Sequence, residues 1–242
     1  MRKGLSLKKV SNQTASFVYR QPMKFGGRVV EDVTVLRTEV VIQLPGSRKK
    51  ITGKGEMTMG NAWAWPSKIP GAITLKILLQ LADRLAAKVE DAGLSGDPLQ
   101  VTHKIAGLRE EAVREIVSEL KIAEGIPKLA AMLASSPLEA AVHDAFGRAH
   151  SKNSFQCMTG EYLEDDLSVY LGEEFIGKYP GDFISAKPKP TMPLYHLVGA
   201  LDPLSDADVK TPLADGWPET LEKWLHTDGI THLKIKLAGN NI

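Results

Sequence analysis

The first sixty residues carry a strand-like pattern. Val33, Val35, Val40, Ile42 and Leu44 sit among Thr, Arg and Gln in a run rich in β-branched residues, as a half-buried strand requires. Pro45-Gly46-Ser47 has turn chemistry, and residues 48–59 return as a second strand. An earlier strand through 14–19 completes a three-stranded antiparallel meander, with residues 20–27 (Arg-Gln-Pro-Met-Lys-Phe-Gly-Gly) as the loop between the first two strands.

The period then changes to that of helices. Ile77, Leu81, Leu85 and Val89 form one apolar stripe within 70–92, and Leu108, Ala112, Ile116 and Leu120 form a second in the next segment. Ser136-Pro137-Leu138-Glu139 has the form of a capping box, with Ser136 as N-cap and Pro137 at the first helical position. The helix it predicts shows Leu138, Ala141, Val142, Ala145 and Ala149, a stripe of small residues suited to close packing. Residues 161–166 are acidic, and the proline-rich stretch 187–193 continues neither helix nor central strand. Beyond it, 194–201 reads as a buried strand, 218–227 as a helix and 232–237 as a strand. That order implies a βαβ unit with a parallel pair. The pattern as a whole predicts an α+β domain followed by an α/β one.

Composition narrows the function classes. At 242 residues, 43% hydrophobic and 24% charged, the chain can build a packed core. Thirty basic against twenty-nine acidic residues give a net charge of +1, unlike the basic excess of a nucleic-acid coat protein. The single cysteine, Cys157, excludes an internal disulfide and any multi-cysteine metal cage. The basic start lacks an apolar segment behind it, and no run of about 18 apolar residues occurs. The expectation is a cytoplasmic protein without nucleic-acid or membrane partners.

Lys234 and Lys236 flank Ile235 on a predicted strand, so their side chains leave one face roughly 6–7 Å apart. Mutual repulsion and partial burial would both favour a neutral lysine able to act as a base; a solvated strand face is the alternative. Gly53-Lys54-Gly55-Glu56 lies inside a hairpin strand and opens no helix, so a bulged strand fits better than a phosphate loop. Trp63 and Trp65 fall in the loop after the third strand, where they either line a ligand pocket or pack onto their own domain. His143 and His150 share a helix face without a third ligand and read as ordinary helix residues. His196 reads as a core histidine and Cys157 as a thiol without an activating partner. Asp202 follows a strand end, facing a site or capping a turn before Pro203.

Taken together, these features resemble the enolase superfamily, in its mandelate racemase/muconate-lactonising branch. The meander with residues 21–26 resembles the first mobile loop of that family's capping domain, and Gly55-Glu56 with the 61–66 loop resembles its second. The helix 140–149 resembles the family's D-x-x-G-K-A helix, with Arg148 in place of Lys, and Lys234-Ile235-Lys236 resembles its K-x-K base motif. The resemblance implies a capping domain at 1–157, an insertion or linker at 158–190, and the first βαβ unit of an incomplete (β/α)8-type barrel at 191–242. It implies an isomerase or lyase that abstracts the proton α to a carboxylate and stabilises the enediolate with Mg2+. Lys236 would be the base and Lys234 its neighbour, while Phe25, Trp63 and Trp65 would contribute to substrate binding.

A barrel of this type needs roughly 250 residues, and only fifty-two lie between 191 and 242. The acidic metal ligands expected on the third, fourth and fifth strands have no counterpart, so no metal residue is assigned. The expectation is a truncated chain, inactive by itself, that associates with further copies or with a complementing chain. The alternative is a non-catalytic capping-domain module with an interaction or regulatory role.

Overall fold

The computed structural model describes residues 3–25, 28–185 and 187–236. The chain divides into two compact units, one of residues 1–16 and 34–187, the other of residues 17–33 and 188–242.

The sheet has the order β3-β2-β1-β4, from β1 (Leu5–Phe25), β2 (Arg28–Gln43), β3 (Lys50–Thr58) and the two-residue β4 (Ser95–Gly96). β1 is longer than the segment 14–19 that the pattern predicts. Its first residues, Leu5, Leu7 and Val10, are buried, while Phe17 and Val18 further along are 57% and 84% exposed. The expected segment 14–19 is the largely exposed middle of the strand, and the part beyond it includes the buried start with Leu5, Leu7 and Val10. The expected loop is also corrected, because 20–25 continue as strand. Pro22 is tolerated there because β4 pairs with β1 at Leu5 and Ser6, leaving one side of β1 further along without a strand neighbour among the described residues.

β2 buries Leu36, Thr38, Val40 and Ile42 at alternate positions and pairs antiparallel with β3 from Val35↔Thr58 to Gln43↔Lys50. That register is unbroken through Gly53 and Gly55, so the expected bulge is absent. The glycines make room for a helix instead. A Cβ on Gly53 would lie 2.2 Å from the Ala141 carbonyl oxygen, and one on Gly55 2.0 Å from that of Pro137.

That helix is α4 (Lys128–Ala149), preceded by the single turn α1 (Asn61–Ala64), by α2 (Gly71–Ala92) and by α3 (Pro98–Leu120). Pro137 lies inside α4 and does not open it. A proline at this position leaves the carbonyl four residues back without its intrahelical donor. The Ser136 hydroxyl donates to that carbonyl, Leu133 O, at 2.9 Å. The serine that reads as an N-cap repairs an interior break. The capping box that does form belongs to α3: Asp97 Oδ1 accepts from Gln100 N–H, and Gln100 Oε1 accepts from Asp97 N–H, with Pro98 at the first position.

Two apolar clusters make up the core of this unit. One joins Leu5, Val40, Ile42, Leu85, Ile105 and Phe146; the other joins Leu36, Trp65, Leu78, Leu81, Ala112 and Ile116. Residues 158–187 attach through Tyr162 and Leu163, both buried. Asp165 accepts from Gln100 Nε2–H of α3, and Asp166 accepts from the Ser168 and Gly177 amides. A short helix, α5 (Ser168–Leu171), follows.

The second unit holds β5 (His196–Val198), α6 (Leu221–Asp228) and β6 (Leu233–Ile235), with β5 and β6 parallel. Thr220 caps α6 by accepting from Lys223 N–H. The expected buried strand over 194–201 is corrected: Leu194 is 83% exposed, Leu201 is exposed, and Val198 alone of the stretch is buried. Each strand holds extended pairing only where the other lies beside it. Among the described residues this unit forms one βαβ unit with a two-stranded sheet. Among them no helix is long and apolar enough to cross a membrane.

Candidate active site

β5 and β6 pair in the register His196↔Leu233, Leu197↔Lys234 and Val198↔Ile235. The ladder extends by one bond at each end, from His196 N–H to His232 O and from Lys236 N–H to Val198 O, both 2.9 Å. Lys234 and Lys236 therefore stand two positions apart along one ladder and leave the same side of it. Lys234 is exposed, with Nζ 5.5 Å from the centre of the Tyr195 ring, within cation–π range. Lys236 is half-buried.

The neighbouring candidates have local tasks. The His196 ring lies 5.5 Å from that of Trp224 of α6, in a tilted stack between strand and helix. Asp202 closes a turn, its Oδ2 accepting from Gly199 N–H at 2.7 Å. Other carboxylates of this unit are likewise engaged: Asp206 pairs with Lys223, Asp208 accepts from the Leu204 and Ser205 amides, and Glu219 accepts from Leu213 N–H. Among the described residues no group of three or more His, Cys, Asp or Glu is arranged to hold a metal ion. Magnesium takes near-octahedral oxygen ligands including carboxylates, and the described residues do not fit it.

Sequence reasoning missed Arg20. Its guanidinium makes a two-pronged contact with Asp215, Nε to Oδ2 at 2.6 Å and Nη2 to Oδ1 at 2.8 Å, and also donates to the Trp217 and Pro218 carbonyls. Arg20 and the Trp217 amide hold the Asp215 carboxyl down at about 2. No local signal marks this pair, whose members lie 195 positions apart.

The remaining candidates belong to the first unit, except Phe25, whose side chain lies outside the described residues. Within 61–66, Asn61–Ala64 form the turn α1, with Trp65 at its C-cap. Trp63 is 45% exposed, whereas Trp65 is buried and donates its Nε1–H to Glu124 at 2.7 Å. Trp65 thus packs onto its own domain. His143 is mostly buried, and burial pushes its pKa down, with Asp97 opposing. His150 is pushed down by burial as well and meets Phe146 and Tyr162 edge to face at 4.6 and 5.1 Å. Burial raises the pKa of the Cys157 thiol, the opposite of nucleophile activation.

No protein-family model matches the chain, and no curated protein does. Solved structures do. An enolase from Bradyrhizobium, complexed with magnesium and mandelic acid, is 17% identical over 64% of this chain and 35% of its own, with a TM-score of 0.37. A mandelate racemase/muconate lactonizing protein from Herpetosiphon aurantiacus is 14% identical over 60% of this chain and 32% of its own, with a TM-score of 0.31. One from Roseovarius nubinhibens is 18% identical over 60% of this chain and 31% of its own, again at 0.31. The chain spans about a third of the length of these structures.

Proposed function

We propose that this chain is the N-terminal portion of an enolase-superfamily enzyme that removes the proton α to a carboxylate in a small-molecule substrate. The observation that carries the reading is the Lys-Ile-Lys tripeptide on the second strand of a parallel βαβ unit. It follows, in sequence, a meander and three long helices of the kind the resemblance implies. Lys236, half-buried, is the proton acceptor, and Lys234 places a second amine on the same side of the strand. In this superfamily Mg2+ stabilises the enediolate; the described residues do not build its site, and the reading assigns to this chain the roles of Lys234 and Lys236. Racemisation, epimerisation, cycloisomerisation and acid-sugar dehydration share this first proton transfer.

The test is α-carbon hydrogen–deuterium exchange on a panel of carboxylates in deuterated buffer, with Mg2+ or with EDTA. It compares the gene product at its natural length with the 242-residue chain. The natural-length protein is expected to show Mg2+-dependent exchange that Lys236→Ala abolishes, and the 242-residue chain none. Exchange unaffected by Lys236→Ala would overturn the assignment of the base. Complete inactivity of the natural-length protein would favour the interaction or regulatory module instead.

A further inference from the structure

Independently of that reading, the first unit carries a groove of about 590 Å3 between the N-terminal half of α2 and the segment that ends α3, within the range of small-molecule sites. Its floor is apolar, formed by Ile73, Ile77, Leu120 and Ile122; Ile73 and Leu120 remain about half exposed.

Two lysines, Lys76 and Lys121, both exposed, stand among the lining residues. Neither has a hydrogen bond or ion pair to its side chain among the described residues. The one acid in the lining, Glu124, is already engaged. Its carboxylate accepts from Trp65 Nε1–H and from the Ser67 hydroxyl, which hold its pKa below the usual carboxylate range.

Lys121 also sits where a side chain is disfavoured. It caps the C-terminus of α3 at φ 51°, in the left-handed region, the position where glycine is the ordinary choice.

We propose that this groove binds a small amphipathic monoanion. An apolar chain or ring lies on the isoleucine and leucine floor, and the anionic head group meets the unpaired ammonium groups of Lys76 and Lys121. Charge decides the class of ligand: an apolar cation would meet two like charges, and a neutral molecule would leave both unanswered.

The test is isothermal titration of the 242-residue chain with three ligands of one chain length, each below its micelle concentration: octanesulfonate, octanol and octyltrimethylammonium. Octanesulfonate is expected to saturate at one site, octanol to bind more weakly and the cation not at all. The double variant Lys76→Glu/Lys121→Glu should lose octanesulfonate and gain the cation. Lys121→Gly separates binding from folding, since glycine suits the backbone while removing the charge. Affinity for octanesulfonate should fall roughly fivefold, with the unfolding midpoint unchanged or raised. Equal binding of anion and cation would overturn the proposal, as would unchanged affinity in Lys121→Gly. So would sedimentation showing that a second copy of the chain occupies the groove.

Discussion

The backbone amide of Lys54 donates to Asp144 Oδ2 at 2.9 Å, across 90 positions of sequence. β3 is the outer strand of its sheet, and its outward N–H groups need acceptors that no further strand supplies. A carboxylate on α4 answers one of them, and Arg148 holds the same oxygen at 2.7 Å. The D-x-x-G-R-A segment thus has a structural task before any catalytic one: it fixes the helix against the sheet edge.

Replacing Asp144 by Ala is expected to lower the stability of the first unit by about 1–2 kcal/mol, because a strand amide loses its charged acceptor. Arg148→Ala should cost under about 0.5 kcal/mol, since the Arg148 side chain is 60% exposed. Urea unfolding of both variants checks the order. Equal losses would place the effect in the ion pair and not in the amide.

Gly53→Ala and Gly55→Ala should each destabilise by about 3 kcal/mol, since the new methyl group meets helix backbone and not a movable side chain. Gly107→Ala is the control. Gly107 lies exposed within α3, and a methyl group there meets nothing within 4 Å, so stability should rise by about 0.5–1 kcal/mol. Thermal unfolding followed by circular dichroism reads both signs. A small effect at Gly53 would mean that α4 does not rest on β3 in solution.

Arg20→Ala should speed amide hydrogen exchange in residues 17–25 and 213–219, and Arg20→Lys should do so to a lesser degree, keeping the charge without the fork. The pH dependence has a definite sign. Asp215 is depressed on folding, so its contribution is present above the ordinary aspartate range and is lost as pH falls through about 2. Carboxyl NMR titration of Asp215 should show a midpoint near 2 in the wild type and near 4 in Arg20→Ala. A midpoint near 4 in both proteins would dissolve the latch.

Two buried polar atoms, Tyr162 Oη and His150 Nε2, have no hydrogen-bond partner among the described residues. Tyr162→Phe should raise stability by about 1 kcal/mol, because it removes an unanswered hydroxyl without opening a cavity. His150 and His143 are both depressed by burial and fold as neutral rings. Their contribution is complete above the ordinary histidine range and is lost as pH falls below about 6.5 towards their folded values. His150→Phe should flatten this part of the stability–pH curve, as measured by chemical denaturation between pH 5 and 8. A loss of stability in Tyr162→Phe would show that its hydroxyl has a partner.

What the sequence by itself determined is what short-range physics encodes. The apolar stripes of α2 and α3 follow from helical period alone, the turn after β2 from Pro45-Gly46-Ser47, and the shared side of Lys234 and Lys236 from a spacing of two on a strand. Tertiary structure decided every question of partner. Gly53 and Gly55 read as a bulge until α4 lies on them, and Ser136-Pro137 reads as a helix start although the helix begins at Lys128. Trp63 and Trp65 look equivalent, yet only Trp65 finds Glu124 and the core. Arg20 carries no local mark of Asp215, nor Lys54 of Asp144. Period and capping are properties of neighbouring residues along one segment. Which carboxylate meets which donor depends on backbones brought together from 90 and 195 positions away, and that is a property of the packed fold.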